Sequence, residues 1–302
     1  MPKELAATDG SRFPRIETVS ERILLCADLD RTILPNGAQP ESPQARAMLR
    51  RLAARPELTL AYVSGRHREL ILQAIREFEI PEPDYAIGDV GTTIYELDKG
   101  TWRHWDAWSE EIAPDWHGKT HQDLAEMLSG LPELQMQPPE QQNHHKVSYY
   151  APQTANRDEL LQRVRERFSP SGVRASLIWS VDQQKHIALL DVLPESATKL
   201  HAIRFLMEQQ GFSKRQTVFA GDSGNDLPVL TSSLQAVLVA NASDEVRREA
   251  LQEAAANGLR DRLYLAQGGY LGMNGNYAAG VIEGLAHYIP ATRKWMEDSG
   301  GE

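Results

Sequence analysis

The chain is poor in the features that mark secreted, membrane-bound and nucleic-acid-binding proteins. It has one cysteine in 302 residues, which excludes an intrachain disulfide and fits a reducing compartment. That residue, Cys26, lies inside an apolar run and reads as a buried filler rather than a reactive thiol. No apolar run is long enough to span a bilayer, and no signal-peptide pattern opens the sequence; the expectation is a cytoplasmic protein with no membrane partner. Basic residues number 32 against 42 acidic ones, a net charge of −10, which argues against nucleic acid or an anionic membrane as a general partner. A small anionic substrate stays open, because a local group of cations outweighs a distant acidic surface once salt screens it.

What is present is a core-forming chain of one large or two modest domains. The run Ile23 to Ala27 is short, apolar and ended by acids, which reads as a buried parallel strand with chemistry at its tip. Ser42 and Pro43 look like a helix start, with Ala45, Met48, Leu49 and Leu52 inward. A second strand runs from Leu58 to Val63, then a helix carrying Leu70, Ile71, Ala74, Ile75 and Phe78. Short strands follow at 85–87 and 92–95. Composition shifts near Trp102, where four tryptophans (102, 105, 108, 116) precede a Gln-rich stretch. The segment to Leu190 reads as helix 121–128, strand 146–150, helix 157–168, and strands 175–181 and 186–190, a small α+β unit. Strand and helix then alternate again: a helix capped by Ser196 and stopped by Gly211, strand 217–220, a helix from Asn225, strand 236–240, a helix after Ser243, and strand 262–266. The expected fold is α/β: a Rossmann-like parallel core at 21–105 and 191–302, interrupted by an α+β insertion at 106–190. Residues 1–20 read as a loose arm and 297–302 as an irregular end.

Four polar groups fall on predicted strand tips or helix starts. They are Asp28 and Asp30 in DLDRT, Ser64-Gly65-Arg66 after the second strand, Lys199 at a helix start, and Gly221 to Asp226 (GDSGND) after the fifth core strand. Two carboxylates one residue apart are tolerable at a strand tip if a cation lies between them or one is protonated. Alone, DLDRT and Ser64-Gly65-Arg66 read as ordinary turns or caps, Lys199 as a solvated lysine, and GDSGND as either a metal loop or a capped turn. Together they supply a nucleophile, an acid/base, hard oxygens for a divalent cation, donors for phosphoryl oxygens and a cation for developing charge, as phosphoryl transfer requires.

This ordered set resembles the haloacid-dehalogenase superfamily of phosphohydrolases, from about Ile23 to Ile289. The insertion lies between the second and third motifs, as in the branch with a large α/β cap (type IIB). Within it, PDYAIGDVGTTIYE, NHHKVSYY, DVLPESATK and GDSGND are similar to the sucrose-phosphate phosphatase group. The resemblance implies Asp28 as nucleophile, Asp30 as general acid/base, Ser64 and Gly65 on the phosphate, and Lys199 on its charge. It also implies a Mg²⁺ ion on Asp28, Asp30, Asp222, Asn225 and Asp226. Arg66 and the cap residue Lys146 become candidates for the substrate, a sugar phosphate, and a sugar-phosphate synthase becomes a candidate partner. Arg31 stands where the group has Asn, and Thr93 where it has Glu, so the sugar stays open among sucrose 6-phosphate, mannosylfructose phosphate and related compounds. A sugar phosphomutase and a phospho-acceptor switch are the rival readings; a switch would need neither Asp30 nor a cap. The tryptophans are expected to pack rather than stack on sugar, and His144 and His145 to be neutral packing or surface residues, since strand neighbours face opposite ways.

Overall fold

The computed structural model describes residues 22–182 and 185–297. The expected arm at 1–20 and residues 298–302 of the expected irregular end lie outside them. Twelve strands run in chain order as β1 (Ile23–Ala27), β2 (Leu58–Val63), β3 (Tyr85–Gly88), β4 (Thr93–Asp98), β5 (Thr101–His104), β6 (Gln135–Met136), β7 (Val147–Pro152), β8 (Ala175–Asp182), β9 (Ile187–Pro194), β10 (Thr217–Gly221), β11 (Gln235–Leu238) and β12 (Leu263–Leu265). The helices are α1 (Ala45–Ala53), α2 (Arg68–Glu77), α3 (Asp106–Ile112), α4 (His121–Leu128), α5 (Arg157–Phe168), α6 (Lys199–Gln210), α7 (Leu227–Leu230), α8 (Asp244–Ala256), α9 (Ala278–Tyr288) and α10 (Arg293–Glu297).

Two sheets result. The larger has the order β12-β11-β10-β1-β2-β3-β4-β5; its first six strands are parallel and β4 and β5 return antiparallel. From β1 the chain moves to β2 and β3 on one side, whereas β10 leads to β11 and β12 on the other. The β1/β10 boundary is therefore a topological switch point, where a crevice opens at the carboxyl ends of the strands. The period-two pleat assigns β1 side chains to two cores. Ile23, Leu25 and Ala27 pack with α1, α2 and α9; Leu24 and Cys26 pack with α3, α6 and α8. Burial pushes the Cys26 thiol far up, as a filler role implies. The smaller sheet, β6-β7-β9-β8, is antiparallel and shares an apolar cluster with α4 and α5. Its last strand runs to Pro194, and α3 sits on the large sheet through Trp108 and Ile112.

Several local expectations are corrected. Ser42 does not cap α1: the helix starts after Gln44 with no side-chain cap, and the Ser42 hydroxyl accepts instead from the Asn274 amide, 2.9 Å away. Thr198 rather than Ser196 caps α6, accepting from His201 N–H. Leu70 is exposed, whereas Ile71, Ala74 and Ile75 are the buried residues of α2 and Leu72 and Phe78 pack partly against the same core. Glu297 closes α10. Helix α9 was not anticipated: it is buried from Ala278 to Ala286, its acid Glu283 included, so no exposed polar face marks it. It approaches β11 through glycine, since a Cβ on Gly284 would stand 2.2 Å from Val237 Cγ2.

Gly284→Ala is expected to destabilise the protein by about 1–3 kcal/mol through overpacking, and Val237→Ala in the same chain to recover part of that. Thermal or urea unfolding checks both; an unchanged midpoint for the single variant would contradict the close approach.

Candidate active site

The four polar groups of the sequence converge on the switch point. Asp28 follows Leu24 and Cys26 in parity, so it continues the row that faces α6. Lys199 opens α6, and its ammonium donates to Asp28 Oδ1 at 2.8 Å, Asp226 Oδ1 at 2.7 Å and Asn225 Oδ1 at 3.4 Å. Lysine and both carboxylates are buried. A cation at a helix N-terminus opposes the macrodipole, so the two carboxylates, not the helix, hold it there. Burial alone would lower the Lys199 pKa; Asp226 and Asp28 overcome that and raise it.

Asp28, Asp222 and Asp226 form the one cluster of three candidate ligating carboxylates found among the described residues, with an oxygen from each lying within 4.8 Å of the others. Burial pushes Asp28 up to about 7, with Lys199 opposing and Asp226 and Asp222 adding repulsion. Burial, then Asp226, pushes Asp222 up to about 6, against Arg31 and Thr32. A buried cluster of hard oxygens short of positive charge fits a small divalent cation. Asp226 has little left to offer directly. Its Oδ1 is on Lys199, and its Oδ2 accepts from Asp222 N, Ser223 N and Ser223 Oγ. It fixes the loop, and Gly221 is required beneath it, since a Cβ there would come within 2.6 Å of the Asp226 carboxyl. Asp28 has its Oδ2 free of hydrogen bonds to described residues, and Asp222 binds Thr32 Oγ1 weakly at 3.3 Å.

The remaining expected site residues divide. Asp30 does not join the cluster: Arg66 takes both its oxygens, Nε to Oδ2 at 2.8 Å and NH2 to Oδ1 at 2.6 Å, and Asn36 donates to Oδ1 at 2.7 Å. Partial burial works against ionisation, but Arg66 and Asn36 prevail and hold the carboxyl below its usual range. The Asn225 amide oxygen is likewise engaged, by Lys199 and by Ser223 Oγ at 2.9 Å. Ser64 is buried at the β2 tip and its Oγ accepts from Arg66 N–H. Gly65, Arg66 and Leu70 line a cleft of about 350 Å³ with Asp28, Asp30, Arg31, Asp222, Ser223 and Asn225. Lys146 lies apart from this lining, in a buried ion pair with Asp89 at 3.2 Å.

That pair spans the two sheets, and the chain around Asp89 is strained. Asp89, Val90 and Gly91 hold φ values of 52°, 61° and 96°, the left-handed region that a β-branched residue avoids. The strain is imposed from outside. Asp89 N–H donates to Arg66 O at 2.9 Å, Trp108 Nε1 donates to Gly91 O at 3.1 Å, and a Cβ on Gly91 would stand 3.1 Å from Thr198 C. The loop thus wedges between the Arg66 tip and the cap of Lys199. Asn143 extends the junction, with Nδ2 2.9 Å from Thr92 Oγ1 and 3.3 Å from Thr93 Oγ1. No local signal announced the Asp89–Lys146 pair; two charges 57 positions apart meet only through the topology. Trp102, Trp108 and Trp116 are buried in the packing and none lines the cleft. His145 packs on Trp116 and burial, with His144 and His104 adding, lowers its pKa to about 4.

The chain is similar to known proteins over most of its length. A family profile described as sucrose-6F-phosphate phosphohydrolase matches residues 21–289. A protein of Nitrosococcus oceani, whose name goes no further than HAD-like hydrolase, is 56% identical over 279 residues, 92% of this chain and 75% of its own length. Sucrose-phosphatase 2 of Nicotiana tabacum is 28% identical over 275 residues, 89% of this chain; the chain spans only 60% of that relative's length. The X-ray structure of the sucrose-phosphatase from Synechocystis sp. PCC6803, in complex with sucrose and phosphate, superposes with a TM-score of 0.66 at 25% identity, covering 89% of this chain and 98% of the other. No helix among the described residues is long and apolar enough to cross a membrane.

An aspartate whose folded pKa lies above its unfolded value of about 4 binds more protons in the native state, so ionising it costs stability. In a chelator, Asp28 and Asp222 are therefore expected to make stability fall as pH rises from about 4 toward 7, Asp222 contributing up to its value of about 6 and Asp28 up to its value of about 7. Up to about pH 6.5 neutral His145 contributes the opposite slope, so the fall is least opposed between about 6.5 and 7. Asp28→Asn should flatten the fall, and thermal unfolding against pH reads the difference; parallel profiles for the two proteins would contradict the assignment.

Proposed function

Because the chain belongs to the sucrose-6F-phosphate phosphohydrolase family, a family of phosphatases, we propose that it hydrolyses the phosphomonoester of a disaccharide phosphate of the sucrose 6-phosphate type. The observation that carries this reading is the Lys199 ammonium on Asp28 Oδ1, with Asp222 and Asp226 beside it. One oxygen of Asp28 is tethered and the other is left free in a cleft.

Asp28 attacks phosphorus in line, and the bond from phosphorus to the sugar oxygen breaks as the aspartyl phosphate forms. Asp30 gives its proton to the departing sugar oxygen, then takes one from the water that attacks the intermediate. Phosphate leaves and the Asp28 carboxylate is restored. Lys199, Ser64 and the Gly65 backbone hold the phosphoryl oxygens. In the present arrangement Asp30 is ionised on Arg66. Acid catalysis needs that clamp to open, and an arriving phosphoryl group offers Arg66 another anion. Asp28 and Asp222 would hold Mg²⁺, with Asp226 and Asn225 behind them. When bound, the ion offsets the repulsion between the carboxylate nucleophile and the phosphate dianion.

The unit built on the smaller sheet acts, in this reading, as a lid over the sugar that excludes water. Its polar junction with the large sheet, Thr92, Thr93, Asn143 and His144, lines a space of about 220 Å³. Lys146, held on Asp89, would offer a sugar hydroxyl its remaining ammonium donors.

Phosphate release from a panel of sugar phosphates, with Mg²⁺ and with a chelator, tests the function. One or two non-reducing disaccharide phosphates, sucrose 6-phosphate or mannosylfructose phosphate among them, are expected to dominate. Equal turnover of simple hexose phosphates would overturn the substrate class, and isomerised sugar phosphate in place of free phosphate would point to a mutase. Asp28→Asn should lose turnover with an unchanged fold. Asp30→Asn should slow it by about 10²–10⁴-fold, the usual worth of an acid/base group.

A further inference from the structure

Arg31 follows Asp30 in the DLDRT string, and its place is hard to explain by folding alone. Its φ of 59° lies in the left-handed region, where Asn and Asp are favoured over long side chains. The backbone is pinned there from both sides. Its N–H donates to Asn36 Oδ1 at 2.8 Å, and its carbonyl accepts from Asn241 Nδ2 at 2.6 Å. The guanidinium then turns into the mouth of the cleft. Nε stands 3.4 Å from Asp222 Oδ2, with the Arg31 side chain 46% exposed and that of Asp222 3% exposed. NH2 lies 3.5 Å from the Asn241 carbonyl. One half-exposed ion pair returns little stability, while the backbone state costs some.

The other cations of the cleft are committed elsewhere: Lys199 to Asp28 and Asp226, Arg66 to Asp30. Arg31 is thus the one cation paired with Asp222 among the described residues. We propose that Arg31 is a displaceable counter-ion of Asp222 that sets the cation affinity of this site, keeping it weaker than the carboxylates alone would make it. An ion arriving at Asp222 meets a positive charge a few ångströms away and must share the carboxylate with it or drive it toward solvent. The inference rests on the reading of Asp28 and Asp222 as cation ligands. Arg31 acts through Asp222, so it is a positioning residue rather than a catalytic one.

The test uses substrate-free protein and Mg²⁺ alone, reading the Mg²⁺ concentration at half of the metal-induced rise in unfolding temperature, at fixed pH and ionic strength. Arg31→Gln removes the charge and keeps the stem to Cδ with a polar nitrogen beyond it. Arg31→Asn removes the charge and suits the left-handed backbone, so it guards against a misfolded first variant. Arg31→Lys keeps the charge. The two neutral variants are expected to respond at Mg²⁺ concentrations about fivefold lower or less, the order expected for like charges a few ångströms apart in a partly solvated cleft, and Arg31→Lys to stay near wild type. Midpoints for Gln and Asn equal to or above wild type would overturn the proposal while leaving the phosphatase reading intact. A wild-type protein that Mg²⁺ does not stabilise would overturn the cation reading and this proposal together.

Discussion

Everything at the cleft depends on one buried ammonium shared between two buried carboxylates. Lys199 reaches Asp28 from the first strand and Asp226 from the loop after β10, elements that meet only because β1 and β10 are neighbours. Burying such charges is costly and is offset only by good geometry and completed hydrogen bonds. Asp226 shows the completion, with both oxygens fully used. Removing any member would leave a buried charge without its partner. The arrangement leaves Asp28 and Asp222 short of positive charge, which is the state a divalent cation relieves.

The strand order explains why these groups converge. Reversal of the strand order between β1 and β10 opens the crevice, and the parallel strand tips bring the acids to it. The strained Asp89-Val90-Gly91 loop then ties three parts together. It accepts Trp108 from α3, it bonds the carbonyl of Arg66, whose guanidinium holds Asp30, and it packs on the Thr198 cap that starts the Lys199 helix. Asp89 also binds Lys146 from the smaller sheet. The loop is thus the physical link between the cleft and the unit proposed to cover the sugar. A movement of that unit bears on Arg66 and Lys199 through one short segment.

Much of this was readable in the chain because the chemistry sits at strand tips, where a short apolar run ends abruptly in polar residues. DLDRT, SGR and GDSGND are local patterns of that kind, and the strand–helix alternation around them gives the parallel core. What the sequence hid was of two sorts. Helix α9 is buried on all sides, so its apolar residues have no face to alternate with. Leu70 shares helical spacing with Ile71 and Ala74 yet faces the cleft rather than the sheet. The second sort is pairing at long range. Spacing alone does not say that Asp30 belongs to Arg66, Lys146 to Asp89 or Ser42 to Asn274. Those partners follow from the three-dimensional path of the chain.

The most direct measurement of the central claim is where the phosphoryl group resides during turnover. In an acid quench of the protein with Mg²⁺ and its best sugar phosphate, peptide mapping by mass spectrometry should find the group on Asp28, in a form that hydroxylamine removes. Phosphorylation of another residue, or continued phosphate release with Asp28 replaced by Asn, would contradict the account.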